Sequence, residues 1–141
     1  MKRILATTDG SEGADRAVTA AAALAHAIGG ELLILHVEGE GGVVSDAERY
    51  APDIVGEVID AHASRILFEA RRKALATGLA EARTNAAWGD ATEVIIGVIQ
   101  REKIDVVVVG RRGRGRLSGL LLGSVSQKLA SLAPCMVLIV P

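Results

Sequence analysis

Val106-Val107-Val108-Val109-Gly110-Arg111-Arg112-Gly113-Arg114-Gly115-Arg116 runs from four β-branched residues straight into glycines and arginines. The valines, within Asp105 to Val109, read as the clearest buried strand of the chain, because no position alternates toward water. Directly behind them come backbone freedom and positive charge, the ingredients of an anion-binding loop. The flanking segments decide how the strand is used. Upstream, Gly89-Asp90 starts a helix whose core stripe is Val94, Ile95, Val98 and Ile99. Downstream, Ser124 to Leu132 reads as a short helix, Pro134 ends it, and Cys135 to Val140 reads as a further apolar strand.

The same alternation extends to the N-terminus. Arg3 to Thr8 reads as a strand that ends in a turn and helix-cap cluster, Asp9-Gly10-Ser11. Gly13 to Ile28 carries Ala17, Ala21, Leu24, Ala25 and Ile28 at helical spacing, and Gly29-Gly30 stops it. Glu31 to Val37 reads as a second buried strand. Glu38 to Pro52 contains Gly39, Gly41, Gly42 and several acids, and reads as a mobile surface loop and candidate lid. An amphipathic helix is expected from about Asp53 to Ala76, with Ile54, Val58, Ile66, Phe68 and Leu75 as its apolar positions. Ala82 to Trp88 alternates enough for a strand of weak propensity, with Trp88 packing in the core or at the next helix entry.

Strands alternating with helices predict an α/β fold: a doubly wound open sheet of five mainly parallel strands, helices on both faces, one domain over 1–141. Ligands of such sheets bind beyond the carboxyl ends of the strands, where strand order reverses. Two of those ends are chemically unusual, Asp9 after the first strand and Gly110 after the fourth.

Composition narrows the function. Half of the residues are hydrophobic but only 2% are aromatic, so helices of Ala and Leu on a β-branched sheet supply the core. The formal charge of −1 and pI of about 6.3 argue against nucleic-acid binding, and so does a chain with one Trp, one Tyr and one Phe to stack bases on. Four arginines nevertheless fall within six residues of one loop. The single cysteine, Cys135, excludes an internal disulfide and sits in an apolar run that predicts a buried, inert thiol. The apolar stretch after Met1-Lys2-Arg3 is too short for a secretory signal, and nothing approaches the ~20 apolar residues of a membrane span, so a cytoplasmic location is expected. The three histidines lack metal-ligand spacing in sequence, and His26 and His62 read as helix-surface or packed residues.

The arginine loop is neither a Walker A loop nor a dinucleotide fingerprint. Arg116-Leu117 stands where the first requires Lys-Ser/Thr, and Ser118 where the second requires glycine. It spells glycine, two residues, glycine, nine residues, Gly-Ser: Gly110, Gly113, Gly123, Ser124. Gly110 lets a ligand approach the strand end, and Gly113 can aim successive N–H groups at one anion. Gly123-Ser124 opens a helix whose unpaired N–H groups suit a phosphate, with Ser124 and Ser126 adding hydroxyls and the arginines forked contacts.

That pattern, with Asp9-Gly10-Ser11-Glu12 after the first strand and His36-Val37 at the end of the second, resembles the ATP-binding branch of the universal stress protein family. The resemblance covers essentially the whole chain and departs from the family in the arginine enrichment of the loop. It implies an adenine nucleotide alpha hydrolase-like sheet and a stress-response regulatory protein. ATP, or ADP or AMP, would be the ligand, with Mg²⁺ as its ordinary companion. It further implies that Thr8, Asp9 and the backbone of Val37 hold adenine and ribose. Gly110, Gly113, Gly123, Ser124, Val125 and Ser126 would hold ribose and phosphates, and Arg111 and Arg112, part of the departure from the family, are candidates for forked phosphate contacts by their own chemistry. A homodimer through Cys135 to Val140 and an unidentified regulatory protein partner follow from the same resemblance, the apolar edge strand arguing likewise for the dimer.

Blander readings stand beside these. The loop can be a solvated charge run, and Asp9 a helix N-cap. An enzyme, a slow ATPase or a nucleotidyl-transfer relative, is the alternative class, and an anion- or RNA-binding arginine loop is another. No nucleophile elbow and no general base accompany the loop, so hydrolysis would be weak at most and no metal ligand or catalytic residue is assigned.

Overall fold

The computed structural model describes residues 2–39, 52–112 and 122–141, with side chains for all of these except 52–60. Gly113, the rest of the loop to 121, and the candidate lid over 40–51 lie outside the described residues.

Strand β1 (Arg3–Thr7) is followed by α1 (Glu12–Ile28), β2 (Glu31–Glu38), α2 (Pro52–Leu75), β3 (Arg83–Trp88), α3 (Ala91–Glu102), β4 (Val106–Gly110), α4 (Ser124–Leu132) and β5 (Met136–Val140). The five strands form one sheet in the order β3-β2-β1-β4-β5, and every pairing is parallel. This is the doubly wound sheet the sequence predicts, with all rather than most of its strands parallel. Strand order reverses between β1 and β4.

The period of two along each strand sorts the core into two layers. Ile4, Ala6, Leu32, Ile34, Val106 and Val108 pack under α1 and α2. Leu5, Leu33, Leu35, Val107 and Val109 pack under α3 and α4. The small inward face of α1, Ala14, Ala17, Ala21 and Ala25, brings that helix close to the sheet. Lys73 on α2 ties back to Asp15 on α1 at 2.6 Å.

Several side chains fall elsewhere than the sequence pattern places them. On α2 the buried stripe is Ala63, Leu67, Ala70 and Ala74, and Phe68 is 67% exposed, since it lies a helical step of about 100° from Leu67. Trp88 is not in the core: it ends the edge strand β3 and is 50% exposed. Cys135 is half-buried and precedes β5 rather than starting it. Burial still pushes its thiol up, which keeps it protonated and unreactive. The loop after β2 starts a residue later than expected because Glu38 pairs with Trp88, and Pro52 is the first residue of α2, where its missing N–H has no helical partner to lose.

Asp105 pins the lower end of the sheet. Its Oδ2 accepts from the backbone N–H of Lys2 and of Arg3, each at 2.9 Å, and its own N–H donates to the Arg3 carbonyl at 2.8 Å. The Arg3 and Lys2 N–H groups hold the Asp105 carboxyl below its ordinary value. A carboxyl lowered by folding stabilises fully above its unfolded pKa, about 3.9, and loses that contribution as pH falls through the lower folded value. Asp105→Asn is therefore expected to lower Tm at pH 7, with the gap to wild type closing as melts are repeated below about pH 4. A gap that stays constant down to pH 2 would remove the carboxylate from the explanation.

Candidate functional site

A cavity of about 290 Å³ opens at the carboxyl ends of β1 and β4, where the strand order reverses. That volume lies at the lower end of the range for small-molecule sites. Leu35, Val37, Ala91 and Ile95 give it an apolar end. Thr8, Asp9 and Ser11 line it from the turn after β1, Gly110 and Arg112 from the end of β4, and Gly123, Ser124, Val125 and Ser126 from the start of α4.

The turn after β1 is written in its side chains. The Gly10 N–H donates to Thr8 Oγ1 at 3.1 Å, the Ser11 N–H to Asp9 Oδ1 at 2.9 Å, and the Ala14 N–H to Ser11 Oγ at 3.2 Å. Short polar side chains favour this backbone-mimicking geometry, and Gly10 supplies the left-handed φ of 82° that the turn requires. Ser11, not Asp9, is thus the N-cap of α1. Asp9 is left to orient the turn and face the cavity.

Gly110 is small for a reason the sequence does not reveal. A Cβ there would meet the Gly13 carbonyl carbon and oxygen at 3.1 Å, and a Cβ on Gly13 would meet the Arg112 carbonyl at 3.0 Å. The first turn of α1 therefore lies directly on the β4 exit, and two glycines make that approach possible. The Arg111 backbone then closes the loop's base. Its N–H donates to the Val140 carbonyl at 2.7 Å, and its carbonyl accepts from the Gly123 N–H at 2.7 Å and from Ser126 Oγ at 2.8 Å. Ser126, only 3% exposed, spends its hydroxyl proton on this bond. Arg112 lines the cavity, while Arg111 serves it through its backbone.

The helix termini differ in charge. Ser11 caps α1 and Asp90 caps α3 with side-chain oxygens, and both helices carry acids in their first turn. The N-cap of α4 is Gly123, no side chain caps it, and its first turn holds no acid. Its opening N–H groups and positive dipole end therefore face the cavity with no side-chain cap among the described residues.

On the opposite layer the structure assembles a cluster that sequence spacing conceals. His36 and Glu38, two apart on β2, share a face, and His62 on α2 reaches them. His36 Nε2 lies 2.7 Å and His62 Nδ1 2.8 Å from the same oxygen, Glu38 Oε1. Burial raises the Glu38 carboxyl, but hydrogen bonds and attraction from His36 and His62 outweigh it and hold the group below its ordinary value. A strand period of two would have flagged the His36–Glu38 pair; nothing local to His62 signals the contact.

An all-parallel doubly wound sheet with its crevice at the switch point defines the class of open α/β folds. Within that class, residues 1–141 match the model of the Universal stress protein family, and the chain belongs to it. A universal stress protein of Thermus aquaticus, from the region 3′ of a QAH/OAS sulfhydrylase, is 36% identical over 99% of this chain and 98% of its own length. Among solved structures, universal stress protein UspA of Lactobacillus plantarum superposes with a TM-score of 0.83 at 24% identity, covering 99% of this chain and 97% of its own. A universal stress protein solved in complex with cAMP superposes with a TM-score of 0.76 at 29% identity, covering 99% and 97%.

Gly110→Ala is expected to force α1 away from β4 and to destabilise the protein by about 1–3 kcal/mol, as overpacking does elsewhere. Thermal melts followed by circular dichroism check this, and an unchanged Tm would mean the helix yields without strain.

Proposed function

We propose that this chain is a cytoplasmic, single-domain regulatory protein of the stress response that binds ATP in the switch-point cavity. The observation that carries this reading is the uncapped, acid-free N-terminus of α4 opening onto the same cavity as Asp9 and the apolar end at Val37. The two ends suit the two ends of a nucleotide. Leu35, Val37 and Ile95 offer adenine a dry wall, with the Val37 backbone and Asp9 as its polar contacts and Thr8 closing the turn beside them. The N–H groups of Ser124, Val125 and Ser126 receive phosphate oxygens, with Gly110, Gly113 and Gly123 admitting them and Arg111 and Arg112 adding charge. The relative solved with cAMP supports an adenine ligand. ADP and AMP fit the same contacts, and Mg²⁺ would balance phosphate charge beside Asp9.

Asp9 is the one carboxylate among the described residues lining the cavity, and no histidine joins it. Binding rather than turnover is therefore the activity proposed, with hydrolysis slow at most. Bound ATP would change the surface around the cavity that a regulatory partner reads.

The expected result is a Tm that climbs with ATP and saturates. Ligand at a hundred times Kd stabilises by about 2.7 kcal/mol, a rise of several degrees for a chain of this size. Gly123→Val, which places bulk at the mouth of α4, should abolish the rise, and mass spectrometry of denatured wild type should recover an adenine nucleotide. A flat melt with no recovered nucleotide would defeat the reading.

The chain is further proposed to pair with a twin through β5. This edge strand is apolar throughout, with Met136 55% and Leu138 41% exposed. Open apolar edges recruit other strands, and two-fold pairing closes them. Leu138→Arg should halve the mass measured by light scattering; an unchanged mass, or a monomeric wild type, would exclude this interface.

A further inference from the structure

We propose that His36, Glu38 and His62 form a binding site for a divalent transition ion, with Zn²⁺ the best match. The three ligand atoms, His36 Nε2, Glu38 Oε1 and His62 Nδ1, lie within 4.8 Å of one another. They belong to the α2 face of β2, the layer opposite Leu35 and Val37, so the site is distinct from the switch-point cavity.

The geometry of His36 carries the argument. Its Nδ1 lies 2.8 Å from the Thr8 carbonyl oxygen, which can only accept, so Nδ1 donates there. That contact aims the other ring nitrogen, Nε2, at Glu38 Oε1, 2.7 Å away. A cation between the two atoms would satisfy both. His62 Nδ1 aims at the same oxygen from the other side. Three donors thus converge on one point, and the ring planes of the histidines meet edge to face at 75°.

The surroundings are those of a metal site rather than of a surface hydrogen bond. His36 is 4% exposed, and its second nitrogen is tied to a backbone carbonyl, the arrangement that fixes tautomer and ring orientation in metal-ligating histidines. Glu38 and His62 have side chains 20% and 46% exposed, which leaves an entry path and room to adjust. Tetrahedral Zn²⁺ with bonds of about 2.0–2.1 Å needs its ligand atoms roughly 3.3 Å apart. The two histidine nitrogens lie 2.7 and 2.8 Å from Glu38 Oε1, so each would move outward from that oxygen by about half an ångström to reach this spacing. Two imidazoles and one carboxylate select against Mg²⁺ and Ca²⁺, which prefer all-oxygen sets, and leave a fourth position for water.

Zn²⁺ titrated into the purified full chain against a chromophoric chelator of micromolar affinity tests this. Wild type is expected to take up one Zn²⁺ per chain and to melt higher with the ion than with EDTA. His62→Ala and Glu38→Gln should each bind at least tenfold more weakly, and each should lose the difference between its own melts in Zn²⁺ and in EDTA. His26→Ala and Cys135→Ser, which alter the exposed histidine of α1 and the thiol, should bind as wild type does. No uptake by wild type would overturn the proposal. So would uptake that survives His62→Ala and Glu38→Gln, or that is lost in either control, because the ion would then be held elsewhere.

Discussion

β1 pairs with β4 through Ile4–Val106, Leu5–Val107 and Ala6–Val108, and that pairing joins the two halves of the sheet. From β1 the chain departs into α1 on one face, and α4 returns to β5 on the other. Departures on opposite faces from adjacent strands leave a crevice above the shared ends. The cavity is therefore a consequence of topology before any of its side chains is chosen. The pairing also brings the first turn of α1 across the end of β4, which is why Gly13 meets Gly110 there and why a methyl group at either position would have to push backbone aside by a few tenths of an ångström.

Charge then gives the crevice its direction. Ser11 and Asp90 neutralise the N-termini of α1 and α3 with their own oxygens, so those helices have little left to offer an anion. Gly123 withholds the same service from α4. The Arg111 carbonyl, held by Gly123 and Ser126, fixes where the loop leaves and where it returns, so the open helix end is presented at a set position. In a chain with a net charge of −1, an uncompensated positive dipole end beside Arg112 is a local field of the opposite sign to the whole.

Much of this was legible in the sequence because it rests on local rules. Val106 to Val109, Leu32 to Leu35 and the alanine face of α1 announce a buried parallel sheet by composition and period alone. The turn at Asp9-Gly10-Ser11 and the Gly-Ser opening of α4 are likewise local signals. What stayed hidden is set by tertiary position. Trp88 is exposed because β3 is an edge, a fact of strand order, and Phe68 is exposed because the neighbouring Leu67 takes the inward position. Gly110 reads as a concession to a ligand, whereas its nearest constraint is Gly13, nearly a hundred residues earlier. The His36–Glu38–His62 cluster joins a strand to a helix across a long connection, and no spacing rule covers that.

Thr8 shows how tightly the two layers are bound together. Its N–H donates to the Leu35 carbonyl at 2.9 Å, its carbonyl accepts from His36, and its hydroxyl oxygen accepts from the Gly10 N–H. The residue is 5% exposed, and one hydroxyl proton is all it keeps for anything entering the cavity. Thr8 consequently shapes the cavity wall, with Asp9 and the first turn of α4 beside it. The residue whose hydroxyl closes the turn also holds His36, through its carbonyl. The floor of the cavity and the histidine cluster are thus joined through Thr8 by a single 2.8 Å hydrogen bond.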